Sequence, residues 1–248
     1  MFSNKYIFTY ASVMVILVAA VLSTASMVLK PFQEANIMAE KIQGILAAAN
    51  VEAERDNAAS VYNEKIVKEL SVDSEGNVVS TWTPGEEATG EAIRPFDINL
   101  KQQLELEKNP GDEKPVWPIF IIEKEGQQYY VVPVRGMGLW GPVWGNIAFE
   151  SDFNTIAGAN FDHKGETPGL GAEINTDWFE SKFKGKKIFN DQGEFVSVKV
   201  VKGGVENSAI PVEHGVDGIS GGTITSEGVT EMLQSNLENY VPYIKKNV

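Results

Sequence analysis

Residues 214–233, HGVDGISGGTITSEGVTEML, set four hydroxyl side chains (Ser220, Thr223, Thr225, Ser226) and the pair Gly221-Gly222 ahead of an apolar helical pattern. A hydroxyl can act as a nucleophile or accept a covalent group. A helix start offers unpaired backbone N–H groups and the positive end of the helix dipole, a combination that favours a phosphate. Gly221 and Gly222 let the backbone come close to such a group. Ser226 or Thr225 is the expected N-cap. Other readings stand beside this one. Gly218-Ile219-Ser220-Gly221-Gly222 matches the GxSxG nucleophile elbow, in which an acid and a histidine follow the serine. No histidine lies beyond His214 and 28 residues follow Ser220, which argues against it. A phosphate-binding P-loop needs a lysine after its glycines, and none is there. A plain strand-to-helix turn explains the glycines but asks nothing of the four hydroxyls together.

Composition removes other chemistry. The 248 residues contain no cysteine and two histidines, His163 and His214. Disulfides, cysteine-ligated zinc and protein-held iron–sulfur clusters are excluded, and so is a HExxH zinc site. The two histidines read as structural, and no metal site is expected. A formal charge of −13 argues against nucleic-acid binding, which needs a basic face. With 43% hydrophobic residues the chain can build a packed core.

Positioning these residues requires a scaffold. Apolar runs at Val116–Ile122, Tyr129–Val134, Val143–Glu150 and Thr155–Phe161 predict strands, the first two joined as a hairpin. Phe195–Val201 alternates as a strand. Residues 178–187 predict a short helix. From Ser226 onward, Val229, Met232, Leu233 and Leu237 mark one helical face. Residues 71–115 are polar and turn-rich, a long excursion with one or two short strands. The class is α+β, an antiparallel sheet flanked by helices, preceded by one N-terminal transmembrane helix.

That helix is read from residues 6–29, YIFTYASVMVILVAAVLSTASMVL, which carry no charge. As a helix they span roughly 36 Å, enough for a bilayer core of about 30 Å. The run is longer than a cleavable signal segment, so an uncleaved anchor over residues 1–30 is expected. Residues 31–50 continue as a connecting helix, with Pro31 suited to a first-turn position. Residues 51–248 form the domain. Lys5 and Lys30 flank the span almost symmetrically, whereas the chain beyond it is strongly acidic, which favours a short N-terminus inside and the domain outside.

Asp217-Gly218-Ile219-Ser220-Gly221-Gly222-Thr223 resembles the flavinylation motif D-x-x-[ST]-G-A-T, with Gly222 where alanine is usual. Gly165-Glu166-Thr167-Pro168-Gly169-Leu170-Gly171 resembles the E-T-P-G-L-G loop of the same family. Gly136-Met137-Gly138-Leu139-Trp140-Gly141 resembles the G-x-G-L-W stretch of one branch, and Trp178-Phe179 with residues 183–187 fits that branch too. The chain therefore resembles the FMN-binding domains that carry covalent flavin, and within them the NqrC branch, which serves sodium-translocating NADH:quinone oxidoreductases. The related G-type branch of electron-transport complexes is the alternative.

The resemblance implies FMN joined by a phosphoester bond to Thr223, with Thr225 as the competing acceptor. It places Leu139, Trp140 and Leu170 as the apolar wall beside the ring. Glu166, Thr167, Gly169, Gly171, Ser220, Gly221 and Gly222 line the site, and Lys202 could offset the phosphate charge. The domain would position the cofactor and tune its potential, with no catalytic residue of its own. Implied partners are the other membrane proteins of the complex, a flavin transferase during maturation, and membrane lipid. The implied location is a bacterial inner membrane crossed once, with the domain on the periplasmic side. A non-redox flavin-sensing or anchoring module is the reading from another class.

Overall fold

The computed structural model describes residues 3–86, 93–109, 111 and 113–247. It separates into two compact units, one up to Lys41 and one from Ile42 onward. Helix α1 (Asn4–Ala48) supplies the first unit, and its apolar stretch is long enough to cross a membrane. The helix runs unbroken through Pro31, so the connecting helix expected from residue 31 onward continues the apolar span as far as Ala48. Residues from Ile42 onward behave differently from those before them: Ile42, Ile45, Leu46 and Ala48 are buried in the domain core. The compact domain thus begins within the connecting helix.

The second unit is built on a six-stranded antiparallel sheet of order β2-β1-β3-β4-β5-β6, as the α+β reading requires. The chain enters it through α2 (Ala58–Lys65), β1 (Ile66–Asp73) and β2 (Val78–Trp82). A short helix over Pro95–Asp97 and α3 (Leu100–Lys108) follow; α3 touches the core through one partly buried pair, Leu100 and Leu104, too little apolar pattern to announce it. The remaining strands are β3 (Val116–Lys124), β4 (Gln127–Met137), β5 (Pro142–Phe149) and β6 (Ile156–His163), close to the predicted runs. These runs are continuously apolar because both sheet faces are covered. On β3, Trp117, Ile119 and Ile121 face one core while Phe120 and Ile122 face the other.

Beyond the sheet come α4 (Asp177–Glu180), β7 (Lys199–Val201), β8 (Gly215–Asp217), α5 (Thr223–Glu238) and α6 (Val241–Asn247). Two expectations need correction here. The helix predicted over 178–187 is one turn of α4 followed by a 3-10 turn at Ser181–Phe183, and the chain then becomes extended. Lys184, at ψ 129°, leaves helical geometry, and Gly185 at φ +77° continues the turn. The strand predicted over 195–201 shrinks to three residues. Ser197 at φ +59° interrupts the extended backbone, and only Lys199–Val201 pairs, in parallel, with β8.

Helix α5 lies on the sheet through Val229, Met232, Leu233 and Leu237, the face expected from spacing. Polar groups fix its register. Asn236 Oδ1 accepts the Arg135 N–H at 2.8 Å, and Thr230 Oγ1 accepts the Val200 N–H at 2.9 Å. On the opposite side, fully buried Glu69 accepts from the Tyr62 hydroxyl at 2.8 Å, the Phe96 N–H at 3.0 Å and the Arg94 guanidinium at 2.5 Å. Arg94 also stacks 3.6 Å above the Trp82 ring. One buried carboxylate thereby joins α2, β1 and the Pro95–Asp97 turn.

Glu180, beside the edge strand β6, accepts the Phe161 N–H at 2.7 Å. Burial, and then the nearby Asp177 and Asp162 carboxylates, push it up to about 7. The folded state therefore holds a proton that the unfolded chain releases near pH 4.5. That stability is present below about 4.5 and is lost as pH rises through about 7. Glu180→Gln copies the neutral form and keeps an acceptor oxygen. Its melting temperature should match the parent at about pH 4.5 and exceed it by a few degrees at about pH 8, as read by calorimetry. An equal melting temperature at both pH values would refute the shift.

Candidate functional site

Three segments distant in sequence meet at one end of the sheet. The β4–β5 hairpin closes there, with Met137 opposite Pro142 and the Gly138 N–H donating to the Gly141 carbonyl at 2.8 Å. A turn this tight has little inward space, so Leu139 (49% exposed) and Trp140 (68% exposed) stand in solvent. Strand β6 ends at the same level, where His163 pairs with Val143, and the 164–171 loop follows. The first turn of α5 is the third segment.

Glycines allow this meeting. A Cβ on Gly228 of α5 would sit 2.1 Å from the Met137 carbonyl oxygen, and one on Gly136 would sit 2.7 Å from the Met232 Cβ. Helix and hairpin are in backbone contact. Gly221, at φ +75°, has the Leu170 side chain where a Cβ would be, 2.5 Å away. Leu170 therefore lies over the loop that precedes Thr223. At Gly222 a Cβ would come within 3.1–3.3 Å of Ile219 and the Gly171 nitrogen, so the departure from the usual alanine relieves a tight spot.

The four hydroxyls of the 220–226 segment separate into two kinds. Ser226 Oγ accepts the Ile219 N–H at 3.3 Å, and Thr225 Oγ1 donates to Glu166 Oε2 at 2.6 Å; both residues are buried. Neither caps the helix. The N-cap is Gly222, which lacks a side chain to do so, because these two hydroxyls already hold the loop together. Ser220 is exposed and Thr223 half-buried, and neither makes a side-chain hydrogen bond among the described residues. Thr223 is the first residue of α5, so its N–H and those of Ile224 and Thr225 lack intrahelical partners. The first intrahelical bond is Ser226 N–H to the Gly222 carbonyl.

Glu166 lies beneath this surface, 4% exposed. Its Oε1 accepts the Trp140 N–H at 2.8 Å and its Oε2 the Thr225 hydroxyl. Burial alone would raise its carboxyl. Hydrogen bonds from Thr225 and the N–H groups of Trp140 and Leu139 outweigh that and hold it below the usual carboxylate range. The Glu166 N–H in turn donates to His163 Nδ1 at 3.1 Å, and His214 Nδ1 meets the Lys187 carbonyl at 2.8 Å. Both histidines thus serve the backbone.

Thr167, Gly169 and Leu170 lie on the 164–171 loop, where Gly169 and Leu170 are exposed, and Gly171 is buried against Thr225. The Thr167 carbonyl accepts the Leu170 and Ala172 N–H groups, and Gly169 takes φ +76°. Lys202 is exposed at the end of β7, where its backbone nitrogen lies 3.6 Å from a Cβ position on Gly218. A second cation was not anticipated. Lys182 sits 3.5 Å over the Trp178 ring; burial lowers its ammonium below the ordinary value, opposed by Asp217. Ile224, 53% exposed on the first turn of α5 next to Thr223, was also missed.

The donor set fits FMN. An uncapped helix start faces a free hydroxyl, which suits a phosphate, and an exposed apolar rim beside it suits a flat ring. A separate cleft among Asn190, Lys199, Ile210, Glu213 and His214 includes none of the predicted site residues.

Comparison with known proteins agrees with this geometry. The FMN-binding domain family matches residues 138–238. The NqrC component of the Na(+)-translocating NADH-quinone reductase from Vibrio parahaemolyticus is 33% identical over 215 residues, covering 84% of this chain and 81% of that protein. The Haemophilus ducreyi counterpart is 30% identical over 239 residues, covering 91% and 87%. The crystal structure of the Parabacteroides distasonis counterpart superposes with a TM-score of 0.73 at 41% identity, covering 87% of this chain and 96% of that one. The Shewanella oneidensis NqrC structure gives 0.64 at 25% identity, covering 84% and 98%. All four relatives fall in the branch that the Leu139-Trp140 turn indicated. This chain belongs to the NqrC family of Na(+)-translocating NADH-quinone reductase subunits.

Proposed function

We propose that this chain is a membrane-anchored electron carrier in which FMN is linked to Thr223 by a phosphoester bond, relaying electrons within a sodium-pumping NADH:quinone oxidoreductase. The observation that carries the reading is the state of the hydroxyls at the start of α5. Thr225 and Ser226 are engaged and buried, while Thr223 stands unengaged beside the free N–H groups. Those N–H groups and the helix dipole stabilise phosphate oxygens. Lys202 adds positive charge. Leu139, Trp140 and Leu170 present a surface on which an isoalloxazine ring can stack.

When bound, FMN supplies the one- and two-electron chemistry; the residues of this chain orient it and set its surroundings. An exposed rim buries little of a ligand, so non-covalent affinity alone would be weak. A covalent bond keeps the cofactor in place between turnovers. Exposure also leaves the ring edge open to redox partners. The other subunits of the complex, a flavin transferase and lipid around residues 6–29 are the partners, and the acidic domain stands on the periplasmic side of the inner membrane.

The experiment is denaturing gel electrophoresis under ultraviolet light. A fluorescent band at 27.2 kDa is expected when the chain is made with the flavin transferase, and none without it. Tryptic mass mapping should place the added FMN on the peptide containing Thr223. A dark band in both cases overturns the covalent reading.

A further inference from the structure

We infer that Glu166 is the positioning residue of this site: its buried carboxylate ties the Leu139–Trp140 turn to the first turn of α5 and stands as a fixed negative charge beside the position where the flavin is reduced. The inference rests on the proposed flavin reading and assigns Glu166 a task other than touching the cofactor. Both of its oxygens are already taken, one by the Trp140 N–H and one by the Thr225 hydroxyl, and the side chain is 4% exposed.

The surroundings are shaped to admit it. A Cβ on Gly138 would lie 2.7 Å from Glu166 Oε1, and one on Gly171 would lie 2.6 Å from Oε2 and 2.3 Å from Thr225 Oγ1. Two glycines from two different segments leave room for one carboxylate. Its partners are neutral donors, and among the described residues it forms no ion pair. An aliphatic side chain could have filled this space without the cost of burying a charge. Hydrogen bonding keeps the carboxylate ionised.

The charge has a consequence for reduction. Oxidised FMN that takes up two electrons and one proton gains one negative charge, with electrons arriving through the complex. A nearby carboxylate opposes that gain. At the effective dielectric of about 20 found near protein surfaces, a unit charge about 10 Å away changes such an equilibrium about tenfold.

Two variants of the full-length chain, each co-expressed with the flavin transferase, separate charge from tether. In Glu166→Gln the amide oxygen still accepts from Trp140 and the amide N–H donates to Thr225, so the tether survives without charge. In the flavin that the variant chain carries, the reduced-to-oxidised ratio at a fixed potential should rise about tenfold over the loaded parent, a midpoint shift of about +30 mV for a two-electron couple. A loaded Glu166→Gln chain with the parental potential overturns the inference. Glu166→Ala removes the tether. Hydrogen exchange of the Trp140 amide, measured on chain made without the transferase, should quicken at least about tenfold relative to the unloaded parent. Unchanged exchange overturns the inference, and this readout decides even if neither variant takes up flavin. A parent chain that takes up no flavin refutes the function reading instead, and the exchange result stands apart from it.

Discussion

A Thr223→Val chain made with the flavin transferase should give no fluorescent band, while Thr225→Val and Ser220→Ala chains remain fluorescent. Valine matches threonine in shape and lacks the hydroxyl oxygen that a phosphoester requires, so the loss of in-gel fluorescence should be complete. Thr225→Val tests the competing acceptor. The Thr225 hydroxyl is buried and donates to Glu166 at 2.6 Å, so reaching it would require opening the first turn of α5. Its removal takes a donor from a buried carboxylate and should destabilise the domain by about 1.5–3 kcal/mol. The expected pattern is loss of flavin with unchanged stability for Thr223→Val, and retained flavin with lowered stability for Thr225→Val. The reverse pattern would move the acceptor to Thr225. Fluorescence lost only in Ser220→Ala would move it to the exposed serine.

Gly228→Ala should lower the melting temperature by about 5–15 °C, although alanine is the better helix former by about 1 kcal/mol. Gly228 lies within α5, and its added Cβ would fall 2.1 Å from the Met137 carbonyl oxygen and 3.1 Å from the carbonyl carbon. Neither atom belongs to a flexible side chain, so helix and hairpin must move apart. Displacement of this kind costs about 2–4 kcal/mol net of the propensity gain, and each kcal/mol is worth about 2–4 °C in a domain of this size. Flavin loading should fall as well, because the same contact sets Thr223 beside the Leu139–Trp140 turn. Gly165→Ala is the control: nothing lies within 4 Å of its Cβ position and its φ is not positive, so its melting temperature should change little. A Gly228→Ala chain as stable as the control would show that backbone contact does not hold α5 in place.

How legible this molecule is from its residues depends on the range of the interaction involved. The central strands could be read because both sheet faces are covered, which makes β3, β4, β5 and β6 locally apolar. The face of α5 could be read because Val229, Met232, Leu233 and Leu237 repeat at helical spacing. Helix α3 could not: of its nine residues, LKQQLELEK, the one buried side chain is Gln103, which accepts the Val116 N–H at 2.9 Å. Tertiary hydrogen bonding leaves no periodic signal. The short β7 and the one-turn α4 were overestimated for a related reason, since left-handed residues such as Ser197 break an element without changing its hydropathy.

The candidate site shows the same division. Residue order alone determined the apolar span of residues 6–29, the glycine–hydroxyl run at 218–226, and the motifs that led to Thr223, Leu139, Trp140 and Leu170. Each is local: the span and the glycine–hydroxyl run follow from residue types at fixed spacing, and the site residues follow from the family resemblance that the motifs carry. Tertiary structure decided which hydroxyls are already engaged and where the charge beneath the site lies. Glu166 and Thr225 are 59 residues apart and meet because Gly138, Gly171 and Gly228 let three backbones approach without side chains between them. A glycine in a sequence does not reveal what will occupy the space it leaves, because that neighbour comes from elsewhere in the chain and is set by packing.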